Sequence, residues 1–270
     1  MKVILLGFDA LEYNLVEEFN LPHLLQCEHR MVRLPLSEMP MVATVPIWVS
    51  FLTGKSPKQH GFTRQWRYKN PIIDFLDKIG CLPRLVRKLM WYFGDPRVFW
   101  RPSELKLRHV ITIFEKIHPS IDIHVPMYSK WSPEECRFEK KQGMLQRKAI
   151  EDDEFATLFW QTHFKFLDFL RNMFFRRLRT SPWKFAMFYT HIADRLGHLF
   201  IGEKEKMRIV YQALDEMVKE VHDNWNDSLI LVLSDHGMAP LSETSQYGRH
   251  TPYGFYSSNI PLNLKDPYPR

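Results

Sequence analysis

Residues 229–238 read LILVLSDHGM, an apolar run that stops abruptly at Ser234, Asp235, His236 and Gly237. A short continuous apolar run without alternation reads as a strand buried on both faces, as strands of parallel sheets are. Two other stretches have the same character, VILLGF at Val3–Phe8 and FAMFYTHI at Phe185–Ile192. A fourth, SIDIHV at Ser120–Val125, follows the helix-like segment RHVITIFEKIH. Between FAMFYTHI and LILVL, the segment EKEKMRIVYQALDEMVKEVHDNW places Met207, Val210, Leu214, Met217 and Val221 three or four residues apart, an amphipathic helix. Strands alternating with helices predict an α/β domain with a mostly parallel sheet.

The bulk numbers agree with that class. The chain has 270 residues, 45% hydrophobic and 25% charged, enough for one sizeable α/β domain. The net charge of +6 favours anionic substrates or surfaces, and no specific nucleic-acid binding is expected from it. Cys27, Cys81 and Cys136 are widely spaced and odd in number, which gives neither a disulfide framework nor a CxxC zinc motif. Reduced cysteines fit a cytoplasmic protein. The N-terminal MKVILLGFDALEYN has an apolar run shorter than the roughly 7–15 residues of a signal-peptide core, so it reads as a first strand. No stretch reaches the roughly 18 apolar residues expected of a transmembrane helix.

A single domain over residues 1–270 is expected, with two regions that fit the alternation less well. Residues 63–108 are rich in aromatic and basic side chains, and residues 138–180 include the Phe-rich FATLFWQTHFKFLDFLRNMFFRRLR. Both read as helical cap insertions packed on the core, with peripheral lipid contact as the alternative, because Arg and Lys border the Phe clusters.

The three buried runs share a second property. VILLGF ends on Asp9, FAMFYTHI ends just before Asp194, and LILVLS ends on Asp235. Ligands of open α/β sheets bind beyond the carboxyl ends of the strands, so three acids there converge on one crevice. Singly, each would read as a turn or cap residue. In DRLGH, Asp194 and His198 are one helical turn apart and reach a common ion. Asp235 and His236 are adjacent and would point to opposite sides of an extended chain, and such neighbours can serve two different ions. Mixed Asp/His ligation suits zinc, manganese or similar ions. His250 in GRHTPYG is a further candidate ligand. His23, His29, His60, His109, His118, His124, His163, His191 and His222 have no partner spacing and read as structural or surface groups.

A nucleophile is expected in MPMVATVPIWVSFLTGKSPKQHGF. Pro46 suits the first turn of a helix running to about Thr53, with Gly54 as its stop. Thr44 then lies at or next to the N-cap, where free N–H groups and the helix dipole favour a phosphate. Val45, Ile47 and Trp48 beside it, with no Arg or Lys before Lys55, suggest an apolar surface suited to a phosphodiester. Arg195 and Arg249 are the cations that could favour a dianionic monoester instead.

The chain resembles the alkaline phosphatase superfamily, in its type I phosphodiesterase/nucleotide pyrophosphatase branch. GFDA with Asp9, TVPIWVSFLTGKSPKQHGF with Thr44, DRLGH, SDHGM and HTPYGF carry the resemblance across residues 3–256. It implies a mixed, mainly parallel central sheet between helical layers, with two divalent ions at the strand ends. Asp194, His198 and His250 would hold one ion; Asp9, Asp235, His236 and the Thr44 hydroxyl would surround the other. Zinc is the expected metal, with manganese or magnesium as alternatives. The implied activity is hydrolysis of a small phosphoester, nucleotide-like or another diester, through a phosphothreonine at Thr44. Two positions depart from the family pattern: Ile47 stands where an Asn commonly contacts phosphate, and Ala10 where Gly often follows the first Asp. The rival readings are a phosphomonoesterase, phosphonate hydrolase or phosphotransferase on the same core, and a non-catalytic metal- and anion-binding protein. A sulfatase would carry Cys or Ser in place of Thr44.

Overall fold

The apolar runs become the centre of one sheet. A computed structural model of the protein describes residues 1–34, 39, 41–68, 70–78, 81, 83, 86, 97–99 and 104–262. Its strands are β1 (Val3–Phe8), β2 (Glu28–Arg33), β3 (Trp66–Tyr68), β4 (Arg97–Phe99), β5 (Ser120–Ile123), β6 (Phe185–Thr190), β7 (Leu229–Leu233), β8 (Gly237–Pro240), β9 (Gly248–Thr251) and β10 (Tyr253–Ser258). Helices of nine or more described residues are α1 (Thr44–Thr53), α2 (Pro133–Ala149), α3 (Asp153–Thr180), α4 (Ile192–Phe200) and α5 (Lys204–Asn224).

The six-stranded sheet has the order β2-β10-β7-β1-β6-β5. β7, β1, β6 and β5 run parallel, while β10 is antiparallel to both β7 and β2. This is the mixed, mainly parallel sheet between helices that the sequence predicts. Which strands form its antiparallel edge, β10 and β2, is not legible in the sequence. Two strand boundaries are corrected: the predicted strand at Phe185–Ile192 gives way to α4 at Ile192, and that at Ser120–Val125 ends at Ile123. The helix expected over RHVITIFEKIH is reduced to one turn, Ile113–Lys116, capped by Thr112.

Both faces of the sheet are buried, which explains the unbroken apolar runs. Ile4, Leu6, Phe8, Ala186, Phe188, Ile230 and Val232 face a core built with α3, α4 and α5. Leu5, Phe185, Met187 and Tyr189 face a second core with Val45, Trp48, Val49 and Leu52 of α1. Gly7 belongs to this second face. A Cβ there would lie 2.7 Å from Trp48 Cη2, so the missing side chain is what lets the indole lie on β1.

α1 begins where the sequence predicts. Ala43 is extended at the N-cap, Pro46 lies in the first turn, and Gly54 closes the helix at φ 67°, donating its N–H to Ser50 O. This left-handed position suits glycine, which has no Cβ to clash. The Phe-rich region folds as α2 and α3. Ser132 and Glu135 form a capping box on α2, and Asp152 caps α3. Phe159, Phe166, Phe174 and Phe175 of α3 are buried in the sheet-facing core, each burial contributing about 1.5–3 kcal/mol. No helix among the described residues is long and apolar enough to cross a membrane. Within the region expected as the first cap, β3 and β4 pair antiparallel and Pro71–Lys78 is helical. The parts of that expectation at 69, 79–80, 82, 84–85, 87–96 and 100–103 lie outside the described residues.

Candidate metal centre and nucleophile

Strand register brings the acids together. Phe8 pairs with Thr190 and Gly7 with Leu233, so β1, β6 and β7 end almost level. Asp9 follows β1 and its N–H donates to Thr190 O at 3.0 Å. Ala10, next in the chain, is held at φ 58°. That conformation is strained for a residue with a Cβ, which gives the family's preference for Gly there a physical reason.

Asp9, Asp235 and His236 offer ligand atoms that all lie within 4.8 Å of one another. His236 Nε2 is 3.3 Å from Asp9 Oδ1 and 3.4 Å from Asp235 Oδ2. Asp235 and His236 therefore face one point, as the resemblance implies for a shared ion, and not opposite sides of the chain. The alternation rule fails because the chain leaves extended conformation between β7 and β8, with a bend at Asp235. His236 Nδ1 donates to Gly237 O at 3.1 Å, which leaves a lone pair on Nε2 facing the two carboxylates.

Asp194 and His198 lie one turn apart on α4, and the β8–β9 hairpin delivers His250 to them. Asp194 Oδ1 is 3.3 Å from His198 Nε2 and 3.0 Å from His250 Nε2. The Nδ1 atoms of these imidazoles face Gly248 O at 3.1 Å and Val42 O at 3.4 Å. A carbonyl only accepts, so both Nδ1 atoms carry hydrogen and the two Nε2 atoms, 3.0 Å apart, turn inward. The two clusters meet where the rings of His236 and His250 stack at 3.8 Å.

The donor set fits divalent cations. Asp9 Oδ1, both carboxylate oxygens of Asp235 and His236 Nε2 are buried and have no hydrogen-bond partner among the described residues. Buried polar atoms left so are costly unless something else satisfies them, and a cation does. Electrostatics give the same reading. Burial, reinforced by the charges of Asp235 and Asp194, pushes the Asp9 carboxyl well above its ordinary range. Burial, with the charge of Asp194, pushes Asp235 up to about 7. Burial also lowers His236, favouring the neutral imidazole that a metal requires. Burial acts to raise Asp194 too, but with no cation between them the adjoining imidazoles of His198 and His250 outweigh it and hold that carboxyl well below the usual range.

Thr44 is the first residue of α1, and its Oγ1 lies 3.4 Å from Asp9 Oδ2, which also accepts a hydrogen bond from the Tyr189 hydroxyl. The free N–H groups expected around it are fewer than predicted. Val45 N donates to Gln65 Oε1 at 3.0 Å, and Pro46 has none. Gln65 thus places a carboxamide beside Thr44, the candidate nucleophile. It escaped sequence reading because nothing in the sequence near Thr44 points to it. The expected apolar surface is also corrected: Val45 and Trp48 are 6% and 2% exposed, packed inward by the helix period, and only Ile47 is partly open. Of the two candidate cations, Arg249 is exposed, while Arg195 Nη2 lies 3.9 Å from Glu139 Oε2.

Residues 3–251 match the sequence model of the type I phosphodiesterase/nucleotide pyrophosphatase family. The chain belongs to that family. No curated protein matches it significantly. Among solved structures it is similar to an inactive form of murine ectonucleotide pyrophosphatase/phosphodiesterase 5 in complex with AMP, at 16% identity and TM-score 0.50, covering 90% of this chain and 59% of that one. The human protein of the same name gives 16% identity and TM-score 0.49, covering 90% and 58%. The chain therefore shares the fold of the murine protein while spanning 59% of its length.

Proposed function

We propose that the chain is a two-metal phosphoester hydrolase with Thr44 as its nucleophile. The observation that carries this reading is the meeting of two three-ligand clusters through the stacked His236 and His250 rings, with the Thr44 hydroxyl 3.4 Å from one of their carboxylates. Asp9, Asp235, His236 and the Thr44 hydroxyl would hold one ion; Asp194, His198 and His250 would hold the other. Bound zinc, or manganese or magnesium in its place, would supply the positive charge that stabilises a Thr44 alkoxide and the departing oxygen.

Asp9 Oδ2 orients the Thr44 hydroxyl, and burial of Asp9 and Asp235 keeps bulk water from screening their charge. Thr44 Oγ1 attacks phosphorus, a bond forms to it, and the bond to the leaving alcohol's oxygen breaks. Water then cleaves the phosphothreonine, returning the hydroxyl and releasing the phosphoryl product. Gln65, whose Oε1 is engaged by Val45 N, has its amide donor to offer a phosphate oxygen, the contact that Ile47 cannot make. The AMP complex of the murine neighbour makes nucleotide-like diesters the first substrates to assay.

Thr44→Ala is the test. It should leave the fold and zinc content intact and lower kcat on an activated phosphodiester by several orders of magnitude. Thr44→Ser should keep part of the activity. Undiminished turnover by Thr44→Ala would remove the covalent mechanism, and zinc binding without turnover in the parent chain would favour a binding protein.

A further inference from the structure

The ends of β5 and β6 carry a second histidine cluster that neither the nucleophile nor the two clusters above use. His124 follows β5, His191 follows β6 and Glu139 projects from α2, and ligand atoms of the three all lie within 4.8 Å of one another. His124 Nε2 is 3.7 Å from Glu139 Oε1, and His191 Nε2 is 2.6 Å from the same oxygen. These side chains come from three separate elements, so their convergence is tertiary and not a by-product of helix spacing.

The imidazoles are held in ligand-like orientations. His124 has φ 57°, an unusual value for a residue with a side chain, and is 3% exposed. Its ring stacks on Trp131 at 5.3 Å and meets the edge of Phe166 at 5.2 Å. Its Nδ1 lies 2.7 Å from Glu135 Oε1, which directs Nε2 toward Glu139. A carboxylate fixing the far nitrogen of a histidine is the usual outer support of a metal-bound imidazole. His191 is itself 7% exposed.

Charge and unpaired atoms point the same way. Among the described residues, Arg195, at 3.9 Å from Glu139, is the one Lys or Arg within ion-pair distance of Glu135 or Glu139. Two carboxylates and one guanidinium leave one negative charge at a buried position, to be balanced by an imidazole or by a bound cation. Beside the cluster lies a fourth imidazole, His163, 1% exposed and 6.2 Å from His191 between ring centres. Its Nδ1 is engaged by Phe159 O, and its Nε2 has no partner among the described residues.

We propose that His124, His191 and Glu139 form a third divalent-cation site, with Glu135 orienting His124. Two imidazoles and a carboxylate suit zinc or manganese. A cation here ties α2 to the ends of β5 and β6. It also fixes Glu139, on which Arg195 leans. The site is separate from the Asp9 cluster but close to it: the Tyr189 ring lies 6.1 Å from His124 and 6.4 Å from His191, and its hydroxyl donates to Asp9. The proposal does not depend on the hydrolase reading.

The test is a metal count on the full chain, stripped with chelator and titrated with zinc against a chromophoric competitor. Three clusters predict three equivalents in the parent protein and two in Glu139→Gln and in His191→Gln, each checked for fold by circular dichroism. Asp235→Asn should lose an equivalent of its own and keep the one that Glu139→Gln removes. An unchanged count in both Glu139→Gln and His191→Gln would overturn the proposal. If the Asp9 and Asp194 clusters take up no zinc, the hydrolase reading fails, yet an equivalent lost in Glu139→Gln still supports this site. Should the variants not fold, anomalous scattering at the zinc edge from parent crystals decides. A peak among His124, His191 and Glu139 supports the site, and peaks confined to the other two clusters refute it.

Discussion

Gly7→Ala tests how closely the fold and the candidate site are joined. The added Cβ would lie 2.7 Å from Trp48 Cη2 and 3.3 Å from Cζ2, where ordinary contact begins near 3.4 Å, so the indole must recede by about 0.7 Å. There is little room for it. Trp48 is 2% exposed and meets Tyr189 edge-on at 5.5 Å and Phe51 at 5.9 Å. Overpacking of this kind costs about 1–3 kcal/mol, which for a chain of this size lowers Tm by roughly 2–12 °C. The strain travels along α1, because Thr44 lies one turn before Trp48. A shift approaching 1 Å there disturbs the 3.4 Å approach of Thr44 to Asp9 and lowers kcat by up to about a hundredfold. Thermal melts and diester turnover would be measured on the parent, Gly7→Ala, Trp48→Phe and the double variant. Phe lacks the outer benzo ring, so Gly7→Ala should cost less in the Trp48→Phe background. Equal costs in both backgrounds, or an unaltered melt in Gly7→Ala, would refute the reasoning.

Three further outcomes are expected. In chelator-stripped protein the native Asp235 carboxyl, pushed up to about 7 from 3.8, keeps its proton when the unfolded chain has lost it, so stability falls as pH rises between those values, by at most about 4 kcal/mol. Asp235→Asn should flatten that fall in melts at pH 5 and pH 8, and added zinc should make the parent the more stable protein; an equal pH dependence in both stripped proteins would contradict this. Glu12 accepts hydrogen bonds from Met238 N at 3.1 Å, Thr251 Oγ1 at 3.2 Å and Asn14 Nδ2 at 2.9 Å, so Glu12→Ala should cost about 2–3 kcal/mol and, by loosening the hairpin that carries His250, weaken zinc binding. Unaltered zinc affinity would show that the hairpin holds without it. A diester is expected to exceed a matched nitrophenyl monoester in kcat/KM, because Glu139 holds Arg195 and Arg249 is exposed; a monoester preference that disappears in Arg195→Ala would show that Arg195 reaches the phosphate.

The sequence was most legible where burial leaves an unambiguous trace. VILLGF, FAMFYT and LILVL are buried on both faces, so nothing polar interrupts them until the strand ends, and Asp9, Asp194 and Asp235 then stand out as acids beyond strands. Pro46 and Gly54 bracket α1 for similarly local reasons. The edge strands were not legible. EHRMVR of β2 carries charges because one side of it meets solvent, and YGFYSS of β10 reads as turn chemistry until its partners are known. The convergence of His124 and His191 on Glu139, and of Gln65 on Val45, is not legible because these partners lie far away in sequence or on another element. Trp48 was assigned to the substrate surface because adjacency to Thr44 was taken for a shared face, whereas the helix turns it into the core.

The pairing of β1 bears on how the protein is made. VILLGF is synthesised ahead of both its partners, since Val3 pairs with Phe185 on one side and Leu229 on the other. At the usual pace of synthesis this apolar strand waits roughly ten to forty seconds for either neighbour. Through that interval it offers two unsatisfied edges, the form of nascent chain that holdase chaperones bind and that self-associates when they are scarce. Asp9, Asp194 and Asp235 stay dispersed for as long, so no cation can gather them early and nucleate the fold. Any cation that the proposed site takes up must then arrive after β7 and β9, which bring Asp235 and His250, have been made.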